Sequence, residues 1–167
     1  MRSFGYLMAI MLVSACSHSI KMDSNAPAVG QYRVAAVEIV PTQYLEADDQ
    51  PEFATIQPML AEALIPKLSG RGMGADVILR VEVTDVNLSI DAVQAVLVSD
   101  SYSIMENIVL LDAQTRRPLG ERLIMTRGEL HQGIYGAVVG SGSSAAAIQN
   151  LVEKNASQIV ETIYPKR

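Results

Sequence analysis

The chain has 167 residues, and its 13 Lys and Arg against 18 Asp and Glu give a formal net charge of −5 at pH 7. An acidic chain has no electrostatic reason to bind a phosphate backbone, so nucleic acid is excluded as the expected partner. The single cysteine excludes an internal disulfide, and the absence of tryptophan argues against a stacking platform for bases or sugars.

Residues 1–15, MRSFGYLMAIMLVSA, have the layout of a secretory signal peptide. Arg2 lies next to the start amine, and residues 4–15 follow without a charge. A transmembrane helix needs about 20 apolar residues, so this run is too short to span a bilayer. The sequence therefore predicts a signal peptide over residues 1–15.

The only cysteine, Cys16, ends the sequence Val13-Ser14-Ala15-Cys16. This tetrapeptide closely resembles the lipobox of bacterial lipoprotein precursors, in which an aliphatic residue and two small residues precede an invariant cysteine. The resemblance implies that the thiol receives a diacylglyceryl group by thioether, that the preceding peptide is removed and that the new amine is acylated. The alternative is an ordinary signal peptide followed by an unpaired thiol, which is a hazard in an oxidising compartment.

Lipidation at Cys16 would anchor the protein, because two or more acyl chains hold firmly to a membrane while one chain holds only marginally. By resemblance to Gram-negative lipoproteins, Ser17 favours the outer membrane, whereas Asp at that position would favour the inner one. Residues 16–31 are polar, contain Gly and Pro and show no period, which is typical of a flexible tether. Residues 32–167 are then left as one domain.

The first half of this domain contains a strand and a helix. Residues 32–40 are rich in β-branched side chains and predict a strand that ends at Pro41, followed by an acidic loop over residues 42–52. Residues 53–69 predict a helix, with Pro58 in its first turn and Pro66 loosening its last turn. One face of this helix carries apolar residues four apart: Ile56, Leu60, Leu64 and Leu68.

The second half contains three predicted strands and a long helix: 75–90, 101–111, 119–130 and 145–164. In the first strand apolar and polar positions alternate, so one face packs and the other meets water. In the third strand Leu119, Leu123 and Met125 share a face. The long helix carries an apolar stripe: Ala145, Ile148, Val152, Ala156, Ile159 and Ile163. Residues 91–99 stay ambiguous and are compatible with a long hairpin arm.

The order β-α-β-β-β-α predicts the α+β class, with a small antiparallel sheet and two amphipathic helices on one of its faces. Leu79 and its neighbours Val77 and Val81 should be buried together with the apolar stripe of the long helix.

Little in the sequence points to catalysis. His18 lies in the tether and His131 at a strand end, so the two histidines do not make a metal site, and no G-x-S-x-G elbow is present. We therefore expect no catalytic residue, no metal and no cofactor other than the covalent lipid on Cys16.

Residues 133–142, GIYGAVVGSG, are the most unusual stretch after the lipobox, because four glycines are mixed with apolar side chains. Ordering such a segment costs backbone entropy that some contact has to offset. The segment could tuck under its own sheet, lead loosely into the long helix, or dock a partner. The docking interpretation makes Gly133, Tyr135, Gly136 and Gly140 candidate partner-binding residues.

The lipobox, the tether and the element order are together similar to small envelope lipoproteins that assist transport or assembly at the outer membrane. That similarity implies a non-catalytic protein that binds an envelope partner. The alternatives are a lipid-tethered periplasmic hydrolase and a structural lipoprotein that associates with itself, and the sequence leaves the oligomeric state open. A deep pocket with convergent polar groups would favour an enzyme or carrier, whereas an apolar patch would favour a protein partner.

Overall fold

The computed structural model describes residues 20–24, 26–28, 31–88, 101–129 and 142–165. Its elements in chain order are strand β1 (Lys21–Met22), strand β2 (Tyr32–Pro41), a short 3-10 turn (Ala47–Asp49), helix α1 (Gln50–Leu68), strand β3 (Ala75–Asn87), strand β4 (Ser101–Asp112), strand β5 (Pro118–Glu129) and helix α2 (Gly142–Ile163). The predicted order β-α-β-β-β-α and the α+β class are confirmed, with the short strand β1 added in front.

The described strands form one sheet in the order β1-β5-β4-β3-β2. The pairs β1–β5, β5–β4 and β4–β3 are antiparallel, whereas β2 and β3 are parallel. Parallel strands need a long crossover, and α1 supplies it between β2 and β3. The sheet is therefore mostly antiparallel, with one parallel pair at the β2 edge.

Both helices cover the same face of the sheet, which we call the inner face. The predicted alternation in β3 is confirmed, because Val77, Leu79, Val81 and Val83 are all fully buried. They belong to one apolar cluster with Val152 and Ile159 of α2, and Ile148 packs against that cluster. Among the described residues, the opposite, outer face carries a small second cluster of buried apolar side chains: Ile78, Val109 and Leu111.

Helix α1 confirms the predicted apolar face and corrects its boundary. Ile56, Leu60, Leu64 and Leu68 are all buried, as the four-residue spacing requires. The helix begins at Gln50, so the loop over 42–52 is shorter than predicted, and Pro51 occupies the first turn. Pro51 fits there because a first-turn N–H has no helical partner to lose.

Strand β5 departs from its sequence prediction. Leu123 and Met125 are 61% and 43% exposed, whereas Ile124 and Thr126 are buried on the inner face. The register between β4 and β5 shifts where Leu110 pairs with Gly120 and Leu111 with Pro118, which leaves Leu119 in an irregularity. Leu119 packs against the core from that position. After this irregularity the even-numbered residues of β5, such as Ile124 and Thr126, point to the inner face, and Leu123 and Met125 point outward.

Some of the described residues before residue 32 also pack against the helix and the sheet. Ile20 is 2% exposed, and its N–H donates to the Thr162 carbonyl of α2 at 3.3 Å. Lys21 and Met22 then pair with Glu121 and Gly120 of β5. A Cβ at Gly120 would lie 2.8 Å from the Lys21 carbonyl oxygen, so this close approach requires glycine.

Candidate functional site

The residues that the sequence analysis proposes for function lie outside the described residues. These are the candidate lipidation site and the glycine-rich docking candidates, Cys16, Gly133, Tyr135, Gly136 and Gly140, and His18 and His131, for which no function is proposed, also lie outside the described residues. Their roles remain predictions.

The structure brings together four polar side chains that the sequence analysis did not single out. Glu106 of β4, Thr126 of β5, and Asn155 and Gln158 of α2 meet between the helix and the sheet, and we call them the Glu106 cluster. Glu106 and Asn155 are 0% exposed, and Thr126 is 1% exposed. A carboxyl group is almost never fully buried without a specific partner, so the cluster needs a chemical explanation.

The hydrogen bonds of the Glu106 cluster converge on the Asn155 amide. Asn155 Nδ2 donates to Glu106 Oε1 at 2.9 Å and to Thr126 Oγ1 at 3.0 Å. The Thr126 hydroxyl in turn donates to Gln158 Oε1 at 2.9 Å. Two acceptor atoms, Glu106 Oε2 and Asn155 Oδ1, have no hydrogen-bond partner among the described residues.

Protonation of Glu106 would change Oε2 from an acceptor into a donor. Burial raises the pKa of Glu106 to about 8, and the hydrogen bond from Asn155 offsets this only partly. At neutral pH the group is therefore mainly a carboxylic acid, whose Oε2–H is a donor that Asn155 Oδ1 can accept. An acid–amide pair of this kind uses the donors and acceptors of both side chains.

The Glu106 cluster fixes α2 against β4 and β5, and its burial closes it to a substrate. A satisfied buried polar network specifies one packing arrangement, because any other arrangement leaves polar atoms unpaired. We therefore interpret the cluster as a structural connection between the helix and the sheet.

A sequence signal for this cluster exists. In β4 the inner face contains Ile104, Glu106 and Ile108, so a charged residue stands in an otherwise apolar alternation. On α2, Asn155 follows Val152 at helical spacing and shares the buried side of the helix. Two polar residues at buried positions of neighbouring elements predict a pair.

A groove of about 340 Å³ runs between the two helices. Its walls mix apolar and polar side chains: Met59, Glu62, Ala63, Pro66, Gln149, Val152 and Glu153. Lys67 Nζ lies 2.9 Å from Glu153 Oε2, so an ion pair joins α1 to α2 beside the groove. The groove volume is within the range of small-ligand sites, but it is not lined by the Glu106 cluster.

The outer face near β2 is an ion-paired surface. Arg33 Nε lies 2.7 Å from Asp76 Oδ1, and the hydrogen bond from Arg33 lowers the pKa of Asp76. Glu38 accepts hydrogen bonds from both Arg116 and Arg80, chiefly from Arg116, and these lower its pKa. At the other end of the same face, β5 presents the exposed apolar side chains of Leu123 and Met125.

Neither a metal site nor a membrane-spanning helix is found in the described part of the chain. Across these ranges no three or more His, Cys, Asp or Glu side chains are grouped so that they could hold a metal ion. None of the described helices is long and apolar enough to cross a membrane.

No protein-family model and no curated protein matches the chain. Solved structures do resemble it in fold. Protein XCC0632 from Xanthomonas campestris, assigned to the family DUF330, is 14% identical with a TM-score of 0.50, over 83% of this chain and 88% of that protein. An identity this low shows a shared fold alone.

Two further similar structures are a lipoprotein and a dodecamer. A minor lipoprotein from Acinetobacter baumannii is 15% identical with a TM-score of 0.47, over 82% of this chain and 92% of that protein. A PelC dodecamer from Paraburkholderia phytofirmans is 15% identical with a TM-score of 0.43, over 84% of this chain and 97% of that protein.

Proposed function

We propose that this protein is a lipid-anchored lipoprotein of the Gram-negative cell envelope, which binds a partner protein and catalyses no reaction. The observation that carries the proposal is the sequence Val13-Ser14-Ala15-Cys16 after an uncharged run of signal-peptide length. Ser17 supports the periplasmic face of the outer membrane as the location.

The position of Ile20 supports this proposal. Ile20, only four residues after Cys16, is packed in the core and bonded to Thr162 of α2. The domain thus begins almost directly after the candidate lipidation site. An acylated Cys16 would hold the folded domain close to the membrane, which suits a protein that acts on partners there.

We assign partner binding to the glycine-rich segment, with Gly133, Tyr135, Gly136 and Gly140 as its contact residues. The segment joins the end of β5 at Glu129 to the start of α2 at Gly142. Glycines in such a segment allow a partner backbone to approach closely, and the apolar side chains between them supply contact area.

The proposal is tested by comparing Cys16→Ser with Ser19→Ala, a control outside the lipobox. We expect Cys16→Ser to remain an unprocessed precursor or to enter the soluble periplasmic fraction, and to lose its cross-linked envelope partner. Ser19→Ala should fractionate with the membrane as the unmodified protein does. A Cys16→Ser protein that is still processed at residue 16 and membrane-bound would contradict the lipid anchor.

A further inference from the structure

The link between the lipid and the domain is short. Four residue steps separate Cys16 from the buried Ile20, and at up to about 3.6 Å per residue they span at most about 14 Å. The side of the domain at Ile20 therefore has to remain near the lipid that Cys16 carries.

Ile20 lies beside β5 at the edge of the sheet. Lys21 lies opposite Glu121, and β1 runs antiparallel to β5. Followed backwards from Lys21 to Ile20, the chain therefore points toward the residues of β5 that come after Glu121. Within the described residues β1 covers only Gly120 and Glu121, and the part of β5 that follows has a paired strand on one side, β4. The segment 122–127 of β5 and the end of α2 at Thr162 are thus described surfaces close to Ile20 and within reach of the candidate anchor.

The chemistry of this segment suits a membrane interface. In its sequence, RLIMTR, Arg127 alternates onto the same face as Leu123 and Met125, whereas Arg122 lies opposite the buried Ile108. The acidic residue next to the segment, Glu121, lies opposite Lys21. Leu123 and Met125 project from the outer face at 61% and 43% exposure, and Arg127 and Lys21 are also exposed. Exposed apolar side chains flanked by cations bind the boundary between anionic headgroups and acyl chains.

The outer face of the opposite edge differs in chemistry, although exposed apolar side chains also occur on that side of the domain, at Ile65 and Met73. Strand β2 is four strands away from β1, which is about 19 Å at about 4.8 Å per strand. Its outer face is occupied by the ion pairs of Arg33 and Glu38. The exposed apolar side chains of β5 and the short link to Cys16 coincide at one edge.

We propose that the β5 edge of the domain, through Leu123, Met125, Arg127 and Lys21, lies on the lipid surface beside the anchor. This inference rests on the proposed lipidation of Cys16. The membrane then orients the domain, with β5 against the lipid and β2 away from it.

The test uses the single cysteine of the chain. In the mature lipoprotein the Cys16 sulfur would be a thioether, so an introduced cysteine is the only thiol that a fluorophore can label. Leu123→Cys is compared with Ile65→Cys, a matched control whose position is 54% exposed and lines a cleft with Val34 and Val37 of β2. Both full-length proteins are purified acylated and reconstituted in phosphatidylethanolamine–phosphatidylglycerol vesicles containing a nitroxide-labelled lipid.

We expect the nitroxide lipid to quench the label at residue 123 and to leave the label at residue 65 bright. A second position, Met125→Cys, should behave as Leu123→Cys does. Equal quenching at residues 65 and 123, or no quenching at either in vesicle-bound protein, would overturn the proposed orientation while leaving the anchor intact. Self-quenching between labels at residue 123 without lipid quenching would assign the edge to a second copy of the chain and also overturn it.

Two further measurements distinguish a missing lipid anchor from a wrong orientation of the domain. Intact mass and vesicle flotation are measured on each sample before quenching. Unacylated protein that does not float with the vesicles would contradict the proposed function, and the orientation with it. Thermal unfolding of both labelled variants should match that of the unmodified protein, since the two positions are exposed.

Discussion

Glu106→Gln should stabilise the protein at neutral and alkaline pH. Glutamine has nearly the shape of the carboxylic acid, and its Nε2 can donate to Asn155 Oδ1 while its Oε1 accepts from Asn155 Nδ2 at the position of the 2.9 Å bond. The substitution therefore keeps the pairing with Asn155 and removes the ionisation.

The magnitude follows from the pKa of Glu106. Burial raises this pKa from 4.5 to about 8 in the folded protein, so the folded state binds a proton that the unfolded state releases between those pH values. The wild-type protein therefore keeps its full free energy of unfolding, as far as Glu106 is concerned, below pH 4.5. This free energy falls as the pH rises from there through about 8, by about 1.4 kcal/mol for each pH unit. The full loss is on the order of 5 kcal/mol, a large part of the 5–15 kcal/mol typical of a domain.

The assay is urea or thermal unfolding of the wild-type protein and Glu106→Gln between pH 5 and pH 9. We expect the wild-type free energy of unfolding to fall across this range relative to that of Glu106→Gln, with the largest gap at pH 9. Glu62→Gln, the same change at an exposed position of α1, is the matched control and should follow the wild type. A constant difference between Glu106→Gln and the wild type at every pH would refute the assignment of a buried, neutral Glu106.

Three further predictions concern packing and docking. Leu79→Ala, at a fully buried position, should lower the free energy of unfolding by about 2–5 kcal/mol. Arg80→Ala, on the outer face, should lower it by less than about 1 kcal/mol. Equal losses in denaturant titrations would show that the inner and outer faces of β3 are wrongly assigned. Gly120→Val should displace Lys21, which lies 2.8 Å from an added Cβ, and so speed amide hydrogen exchange of the β1 backbone; unchanged exchange would show that β1 is not held there. Gly136→Asp should leave stability and membrane location intact but abolish cross-linking to the envelope partner, and retained cross-linking would place the docking surface elsewhere.

The main elements of the fold follow from the sequence because their apolar periodicity is strong. The four-residue spacing from Ile56 to Leu68 and the alternation from Val77 to Val83 each determine a face, and every one of those residues is buried. The parallel pairing of β2 with β3 could not be predicted in the same way. It depends on how α1 connects the two strands and on their order in the sheet, and local periodicity gives no information on either.

Strand β5 shows where local pattern reading fails. Leu123 and Met125 are as apolar as core residues, yet the irregular pairing near Gly120 sets the inner face at Ile124 and Thr126. The register of a strand depends on its neighbours, and a one-residue change exchanges its two faces. The exposed pair is consequently visible only in the folded sheet.

The Glu106 cluster was predictable only in part. A carboxylate at an inner position of β4 can be found from the alternation of Ile104, Glu106 and Ile108. Its partner Asn155 lies 49 residues later, and the sequence does not state which polar residue of α2 comes opposite. Long-range pairing of this kind is a product of helix–sheet packing.

Intact-mass spectrometry of the protein extracted from envelope membranes tests the lipid anchor most directly. We expect a mature chain that begins at Cys16 and carries the mass of a diacylglyceryl group and an N-acyl chain. A mature chain that begins at another residue, or a Cys16 with a free thiol and no acyl mass, would contradict it.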